Sequence, residues 1–490
     1  MRRTNTIDYE NPKSFNSLLV FMTLIIIGNI LTLSSPLGLL ITLLQYIYVI
    51  HLILKKDLIK AYLAHMVFVL LSLSAQGTLG MFDAGQLSMY NYGTMKIIGP
   101  IRGFYLLNII FVILFRKRCP NKKTLLYSLF QTLSIIFASG IIIGLLGCLI
   151  NPYYSFDSFV DNTIYIFVTL STLFVLVRLI EENTVKQAYY LGVCAIISGI
   201  VGSFICYTLF HITSHYSVYD IPYIADIAGF VPVLIIGYFT FKHRIPYWSA
   251  LLIFLFFSMD MMGGKSFFQL GFCLTCLIYL AFFDYDSVNL VKQKSSHMRF
   301  LLVVVCVAVV AFVGAHFSSE SMAFYKFKSA LSMFSGDISE MSRSPYIRVA
   351  SLINILHEGL SNPFTLLFGK GYGGYFEDGL NLFVGIDLSN GAWGDTDIQT
   401  GRFHSGHDTM VTVPFFNGLI GLYLILKICW LYVKKIKFNF LNGVAFLWII
   451  LQFYFNTLTA ATGVFLLFAA EYNLLHSTND IHKSFVIDNR

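Results

Sequence analysis

Charge is scarce in this chain. Asp, Glu, Lys and Arg make up 12% of its 490 residues, against about 25% in an ordinary soluble domain. With 57% hydrophobic residues and a mean hydropathy of +0.72, that scarcity excludes a water-soluble globule. Dense basic tracts with interleaved aromatics are also lacking, which excludes nucleic acid as a partner despite a formal net charge of +7. Internal repeats and low-complexity tracts are absent. The longest polar segment, about 316–409, holds no cysteine, so its fold does not rest on disulfides. Of the eight cysteines, Cys119 sits in a basic turn and the rest lie in apolar runs. Cys273 and Cys276 form a Cys-x-x-Cys inside one such run and read as core packing. No small-residue cleavage site follows the first apolar run, which is therefore expected to stay as a span.

Long apolar runs dominate what is present, with 47 Phe and 29 Tyr suiting a lipid-facing surface and its aromatic belts. A span needs about 20 apolar residues. Spans are expected at about 17–34, 37–54, 58–76, 97–115, 124–150, 163–180, 187–211, 224–241, 247–263, 266–284, 300–317, 410–432, 439–456 and 458–476. The fold class is thus all-α: a polytopic transmembrane helical bundle of about fourteen helices, with twelve as the lower count. Lys55, Lys56 and Lys60, then Arg116, Lys117, Arg118, Lys122 and Lys123, mark turns on one side. Lys242 with Arg244, Lys292 with Lys294 and Arg299, and Lys434 with Lys435 and Lys437 continue the pattern. The positive-inside rule puts these turns and both termini in the cytoplasm, and the long segment outside. Three parts follow: an N-terminal bundle over 1–316, an outer loop or cap over 317–409, and C-terminal helices with a tail over 410–490.

A loop of this length is normally functional, and this one carries helical patterning. Val349, Leu352, Ile353, Leu356 and Leu360 recur at helical spacing within Tyr346–Leu360, with Gly359 and Asn362-Pro363 as stop signals. A second helix is expected at about 320–334.

Cations where the positive-inside rule does not want them come first among candidate site residues. Arg102 lies in Gly-Pro-Ile-Arg-Gly at the outer mouth of the fourth span, and Lys265 in Gly-Gly-Lys-Ser in a short outer turn. Such residues face a cavity or a partner, or simply snorkel to the interface. As binding residues they suit an anion, and the anion at a membrane surface is lipid phosphate or diphosphate. Asp260 is an alternative, structural partner for Lys265. Arg343 and Arg348 flank the start of the loop helix. Their guanidinium groups suit bidentate phosphate recognition, or form a solvated helix end. Lys370 lies in Gly369-Lys-Gly-Tyr-Gly-Gly374, a run that lets backbone approach a ligand closely but lacks the Walker pattern. Arg402, His404, His407 and Asp408 close the loop. Two histidines beside an Asp raise the question of zinc. A third ligand from Asp395, Asp397 or His357 has no supporting spacing, so no metal and no cofactor is expected. A histidine at the rim of a membrane cavity suits a general base, with Asp408 orienting it or capping the next span. Asn29, Gln45 and Gln131 read as structural, and His51 and His65 as lying near the cytoplasmic face.

These residues carry a resemblance. Arg348, ten residues, then Gly359 is similar to the Arg-x10-Gly pattern of O-antigen polymerase loops, and Leu367-Phe-Gly-Lys-Gly-Tyr-Gly373 resembles their Leu-Phe-Gly-x-Gly-x-Gly stretch. His407-Asp408 followed by Gly418-Leu-Ile-Gly-Leu422 resembles a His-Asn and Gly-Leu-Ile-Gly-Leu pairing, and Gly264-Lys265-Ser266 a Ser-Arg-Gly or Ser-Arg-Ser. The chain thus resembles the O-antigen polymerase (Wzy-type) and O-antigen ligase (WaaL-type) superfamily of bacterial membrane glycosyltransferases, over about Met261 to Leu426. The N-terminal half matches in hydropathy alone. Lys265 stands where the family has Arg, and Asp408 where it has Asn.

The resemblance implies a multi-pass protein of the bacterial inner membrane that joins undecaprenyl-diphosphate-linked oligosaccharide repeat units at the periplasmic face. It implies an inverting, metal-independent transfer, with a chain-length regulator as an additional partner beside the lipid-linked substrate and membrane lipid. Combined with the residues, it assigns His407 as base, Arg102, Lys265, Arg343 and Arg348 as diphosphate ligands, and His404, Asp408, Gly359 and Gly371 as supporting. A ligase transferring the glycan to lipid A core shares this layout. A flippase for the same lipid is the alternative of another class, although flippases usually have short outer loops and charges deep in both helical bundles.

Overall fold

In the computed structural model of the chain, the residues described are 12–31, 36–72, 91–93, 95–98, 101–122, 124–179, 182–210, 343–386, 388, 393–406 and 409–435. They are mostly helical, and among them four helices are long and apolar enough to cross a membrane. The expected spans at 224–241, 247–263, 266–284, 300–317, 439–456 and 458–476, and the loop helix at 320–334, lie outside the described residues. Two compact units are present. The described residues of Met1–Phe111 and Leu179–Phe327 form one, and those of Val112–Arg178 and Lys328–Leu467 the other. The described residues of the loop group with helical chain from both sides.

The first unit holds α1 (Pro12–Leu31), α2 (Pro36–Leu54), α3 (Leu58–Leu70), a two-stranded ribbon of β1 (Lys96–Ile98) and β2 (Ile101–Arg102), the start of α4 (Gly103–Phe115), and α7 (Glu182–Phe210). Helix α1 packs on α7, where Gly202 lets the helices close onto Ile26 and the Ser198 hydroxyl donates to the Leu19 carbonyl at 3.1 Å. Asn29 ties α1 to the end of α3, its amide donating to the Leu71 carbonyl at 3.2 Å. His65 is fully buried. Its Nε2 lies 3.0 Å from Asn108 Oδ1 and its Nδ1 2.8 Å from the Tyr92 hydroxyl. Because Oδ1 only accepts, Nε2–H donates and Nδ1 accepts from Tyr92. His65 thus ties α3 to Tyr92 and to Asn108 of α4 inside the first unit.

The second unit holds α5 (Leu125–Ile150), α6 (Phe156–Leu179), α8 (Arg343–Ser361), α9 (Pro363–Phe368), β3 (Phe376–Glu377), α10 (Asp395–Thr400), β4 (Arg402–Phe403) and α11 (Thr409–Lys435). Two short strands pair antiparallel, Phe376 opposite Phe403 and Glu377 opposite Arg402. Their inner face joins Trp393, Phe383 and Phe415 in an aromatic core, with Trp393 and Phe403 ring centroids 4.5 Å apart. Asn362 caps α9, its side chain accepting from the Phe364 and Thr365 amides, and Pro363 supplies the first helical residue.

Several boundaries move, α1 and α7 each starting five residues before the expected span, at Pro12 and Glu182. Helix α4 starts at Gly103, after a ribbon, where the hydropathy placed a span from 97. Helix α6 starts at Phe156, about two turns before its apolar stretch. Gly359 does not stop α8, which runs on to Ser361; Gly359 is buried, and a Cβ there would lie 2.9 Å from Leu366 of α9.

The buried face of α8 is also not the one the periodicity suggested. Ile347, Ala350, Ser351, Asn354 and Ile355 are buried, whereas Ile353, Leu356 and Leu360 are exposed, Leu360 by 74%. Phe364, Leu367 and Phe368 of α9 extend this exposed apolar surface. Such a surface is the ordinary one for a helix lying at a membrane interface.

Candidate functional site

Arg102 ends β2, directly opposite Lys96 on β1. The ribbon is held from several sides. Gly103 N donates to Met95 O at 3.0 Å and Met95 N to Asn91 O at 2.7 Å. Gly93 N donates to Ser72 Oγ at 2.8 Å, and the Tyr46 hydroxyl to Tyr92 O at 2.7 Å, with the two tyrosine rings stacked. Arg102 Nη1 donates to Gly93 O at 3.3 Å, which aims a half-buried guanidinium along the ribbon beside the exposed Lys96. Like charges directly opposite on two strands repel, and an anion between them removes that cost. Lys96 was missed in the sequence because it fell at the edge of an expected span. The legible signal was two cations flanking the Gly99-Pro100 turn.

Arg343 is the first residue of α8, and Arg348, partly buried, follows on the same helix. Eleven residues of α-helix make close to three full turns, so Arg348 and Gly359 share one face about 16 Å apart. That gives the Arg-x10-Gly spacing a physical content: one face of α8 presents the cation at one end and the close contact with α9 at the other. Lys265, His407 and Asp408 lie outside the described residues. Arg102 belongs to the first unit and Arg343 and Arg348 to the second, each with its own surroundings.

The glycine-rich segment is threaded against helices of its own unit. Lys370 N and Gly371 N donate to the Phe415 and Phe416 carbonyls of α11, each at 2.9 Å, and Tyr372 N to Gly140 O of α5 at 3.0 Å. Gly369, Gly371 and Gly373 all have positive φ, where only glycine is unstrained. A Cβ on Gly371 would lie 2.2 Å from Gly144 N. The backbone that Gly369 and Gly371 admit is that of α11 and α5, and Gly373 admits that of Ser155 just before α6. Helix α11 is broken at Gly418 (φ 62°, ψ −163°), and the Leu367 carbonyl fills the space beside it. Asn417, just before the break, donates to Ile136 O and Ser139 Oγ of α5 at 2.9 and 3.1 Å.

Lys370 is an internal tie. Its ammonium pairs with Glu358 Oε2 of α8 and donates to Tyr375 O at 2.6 Å, while Glu358 Oε1 accepts from Glu377 N at 2.9 Å. The Tyr154 hydroxyl donates to Lys370 O at 2.9 Å, and burial pushes that phenol up to about 12. Glu358→Ala is expected to destabilise the cap by about 2 kcal/mol, because it leaves both a half-buried ammonium and a backbone N–H without their acceptor. Thermal unfolding in detergent followed by intrinsic fluorescence measures this, and an unshifted midpoint would refute it.

His404 is oriented by a carboxylate. Gly401, with φ 66°, turns the chain sharply from α10 into β4 and brings Asp397 over the imidazole. Nδ1–H donates to Asp397 Oδ1 at 2.7 Å, and Nε2 lies 3.4 Å from Tyr153 O. The sequence marked Asp397 only as a metal-ligand candidate; among the described residues no three His, Cys, Asp or Glu side chains converge as a metal site. Arg402 Nε lies 3.3 Å from Glu377 Oε1, and its guanidinium stacks over Tyr153, 3.8 Å from the ring centroid.

Comparison of the chain with protein-family models and with curated proteins yields no match.

Proposed function

We propose that this protein is a polysaccharide polymerase of the inner membrane, joining undecaprenyl-diphosphate-linked repeat units on the outer side, with both termini cytoplasmic. The observation that carries the reading is the ribbon on which Lys96 and Arg102 face each other at the start of an apolar helix. Paired cations where the positive-inside rule disfavours them suit a lipid diphosphate. The ordered sequence motifs supply the reaction class, and their Arg-x10-Gly element favours the polymerase over the ligase.

In the reaction so assigned, a hydroxyl of the acceptor sugar attacks the anomeric carbon of the donor as His407 takes its proton. The bond from that carbon to the diphosphate oxygen breaks, and the electron pair leaves with the lipid diphosphate. Cations held against the departing oxygens lower the barrier because charge grows there as the bond opens. Arg102, Lys96, Lys265, Arg343 and Arg348 are assigned that role. Asp408, where the family has Asn, stands beside the base as its orienting carboxylate.

Purified protein in lipid vesicles, given only lipid-linked repeat units, is expected to lengthen them. Movement of the lipid across the bilayer without new glycosidic bonds would overturn the reading in favour of a flippase. Substituting both Arg102 and Lys96 by Ala is expected to lower the elongation rate by about 10³-fold, the scale of losing preorganised charge donors at a leaving group. A rate within a few-fold of the unsubstituted protein removes the ribbon from the site.

A further inference from the structure

The second unit carries a side-chain cluster from which the transfer reaction is assigned only His404, as a supporting residue. Tyr153 comes from the turn between α5 and α6, Tyr375 from the segment after the glycine run, Glu377 from β3, Asp397 from α10, and Arg402 and His404 from the β4 region. Separate stretches of chain converge here. The Arg402 guanidinium lies 3.8 Å from the Tyr153 ring centroid and 5.6 Å from that of Tyr375. The two tyrosine rings meet edge to face at 6.4 Å, and the His404 ring stands 6.0 Å from Tyr375. Tyr153 is 51% exposed, so the cluster reaches the surface.

Its polar groups are already partnered, Arg402 with Glu377 and His404 with Asp397. Two carboxylates around one guanidinium disfavour phosphate, and the cluster offers planar groups and ring faces in its place. A sugar ring presents a flat face of C–H groups and a rim of hydroxyls. Aromatic rings cover the first, and carboxylate, imidazole and guanidinium groups bond the second. The side chains hold one another in place before any ligand arrives, which lowers the ordering cost of binding.

We propose that Tyr153, Tyr375, Glu377, Asp397, Arg402 and His404 form a saccharide-binding site on the cap. Resting on the polymerase reading, it holds the glycan chain itself, apart from the lipid diphosphate. The probe is free oligosaccharide released by mild acid from the surface polysaccharide of the source cell. Binding is measured by saturation-transfer NMR on the full chain in lipid nanodiscs.

The unsubstituted protein is expected to bind the probe through sugar-ring protons. Tyr153→Ala combined with Arg402→Ala is expected to weaken binding tenfold or more, the usual scale for a central tyrosine and arginine pair. Arg402→Lys keeps a cation beside Glu377 but loses the plane. It is expected to weaken binding while the thermal midpoint stays in place, whereas a purely structural staple would move the midpoint and spare binding. Absence of binding by the unsubstituted protein, or equal binding by all variants, overturns the site. Elongation of lipid-linked units is scored in parallel. Elongation without glycan binding defeats this site alone, and glycan binding lost in the variants without any elongation supports the site and defeats the polymerase reading.

Discussion

Alanine in place of Gly371 is expected to unseat the cap from the helices it is threaded against. The residue has φ 71°, and its backbone is closed in by Gly144 N, Ile143 C and Gly144 Cα, all within 3 Å of where a Cβ would stand. Those atoms are helix backbone and cannot swing aside as a side-chain tip could. The strain of a left-handed non-glycine residue adds about 1 kcal/mol, and the displaced segment loses its bonds to Phe416 O and Gly140 O. A total of about 3 kcal/mol or more follows. Gly394→Ala is the control, since nothing lies within 4 Å of its Cβ position. Limited proteolysis across 369–374 and the thermal midpoint read the outcome, and a Gly371→Ala protein as robust as Gly394→Ala would refute it.

The second large effect separates the two histidines. His407→Ala is expected to lower the elongation rate by about 10²–10⁴-fold, the range for a lost general base. His404 is committed to Asp397 and set among tyrosines, and its loss is expected to act on glycan capture. His404→Ala should therefore raise KM several-fold and leave kcat near its starting value. Steady-state kinetics with lipid-linked units decide between them. A collapse of kcat in His404→Ala with a mild effect in His407→Ala would transfer the base to the Asp397–His404 pair.

The apolar runs were legible because a membrane span is long and nearly uncharged: α2, α5 and α11 begin within a residue or two of where hydropathy put them. The ribbon before α4 was not, because Ile97, Ile98 and Ile101 are as apolar as the helix that follows, and hydropathy is blind to the turn between them. The inner face of α8 was misjudged for a different reason. Sorting apolar residues inward assumes water outside. Here Asn354 turns in to bond Asp378 at 2.8 Å, and Ser351 is buried beside it on the same face. Leu356 and Leu360 are left on the outer face, as an interfacial position favours. The glycine run was legible as a place of close approach, but not what approaches it, since its partners are backbone atoms of Gly140, Gly144 and Phe416, remote in sequence.

The break at Gly418 carries a consequence for the order of assembly. The carbonyls of Phe415 and Phe416 accept from Lys370 and Gly371, so two rungs of an apolar helix are completed by a distant part of the chain. In hydrocarbon, an orphaned carbonyl costs several kcal/mol. Helix α11 therefore reaches its final shape only with the cap segment already docked on it. Ribosomal synthesis delivers the parts in that sequence, donors first and acceptors afterwards, so maturation of this half of the protein waits for α11 and then closes in a single docking step.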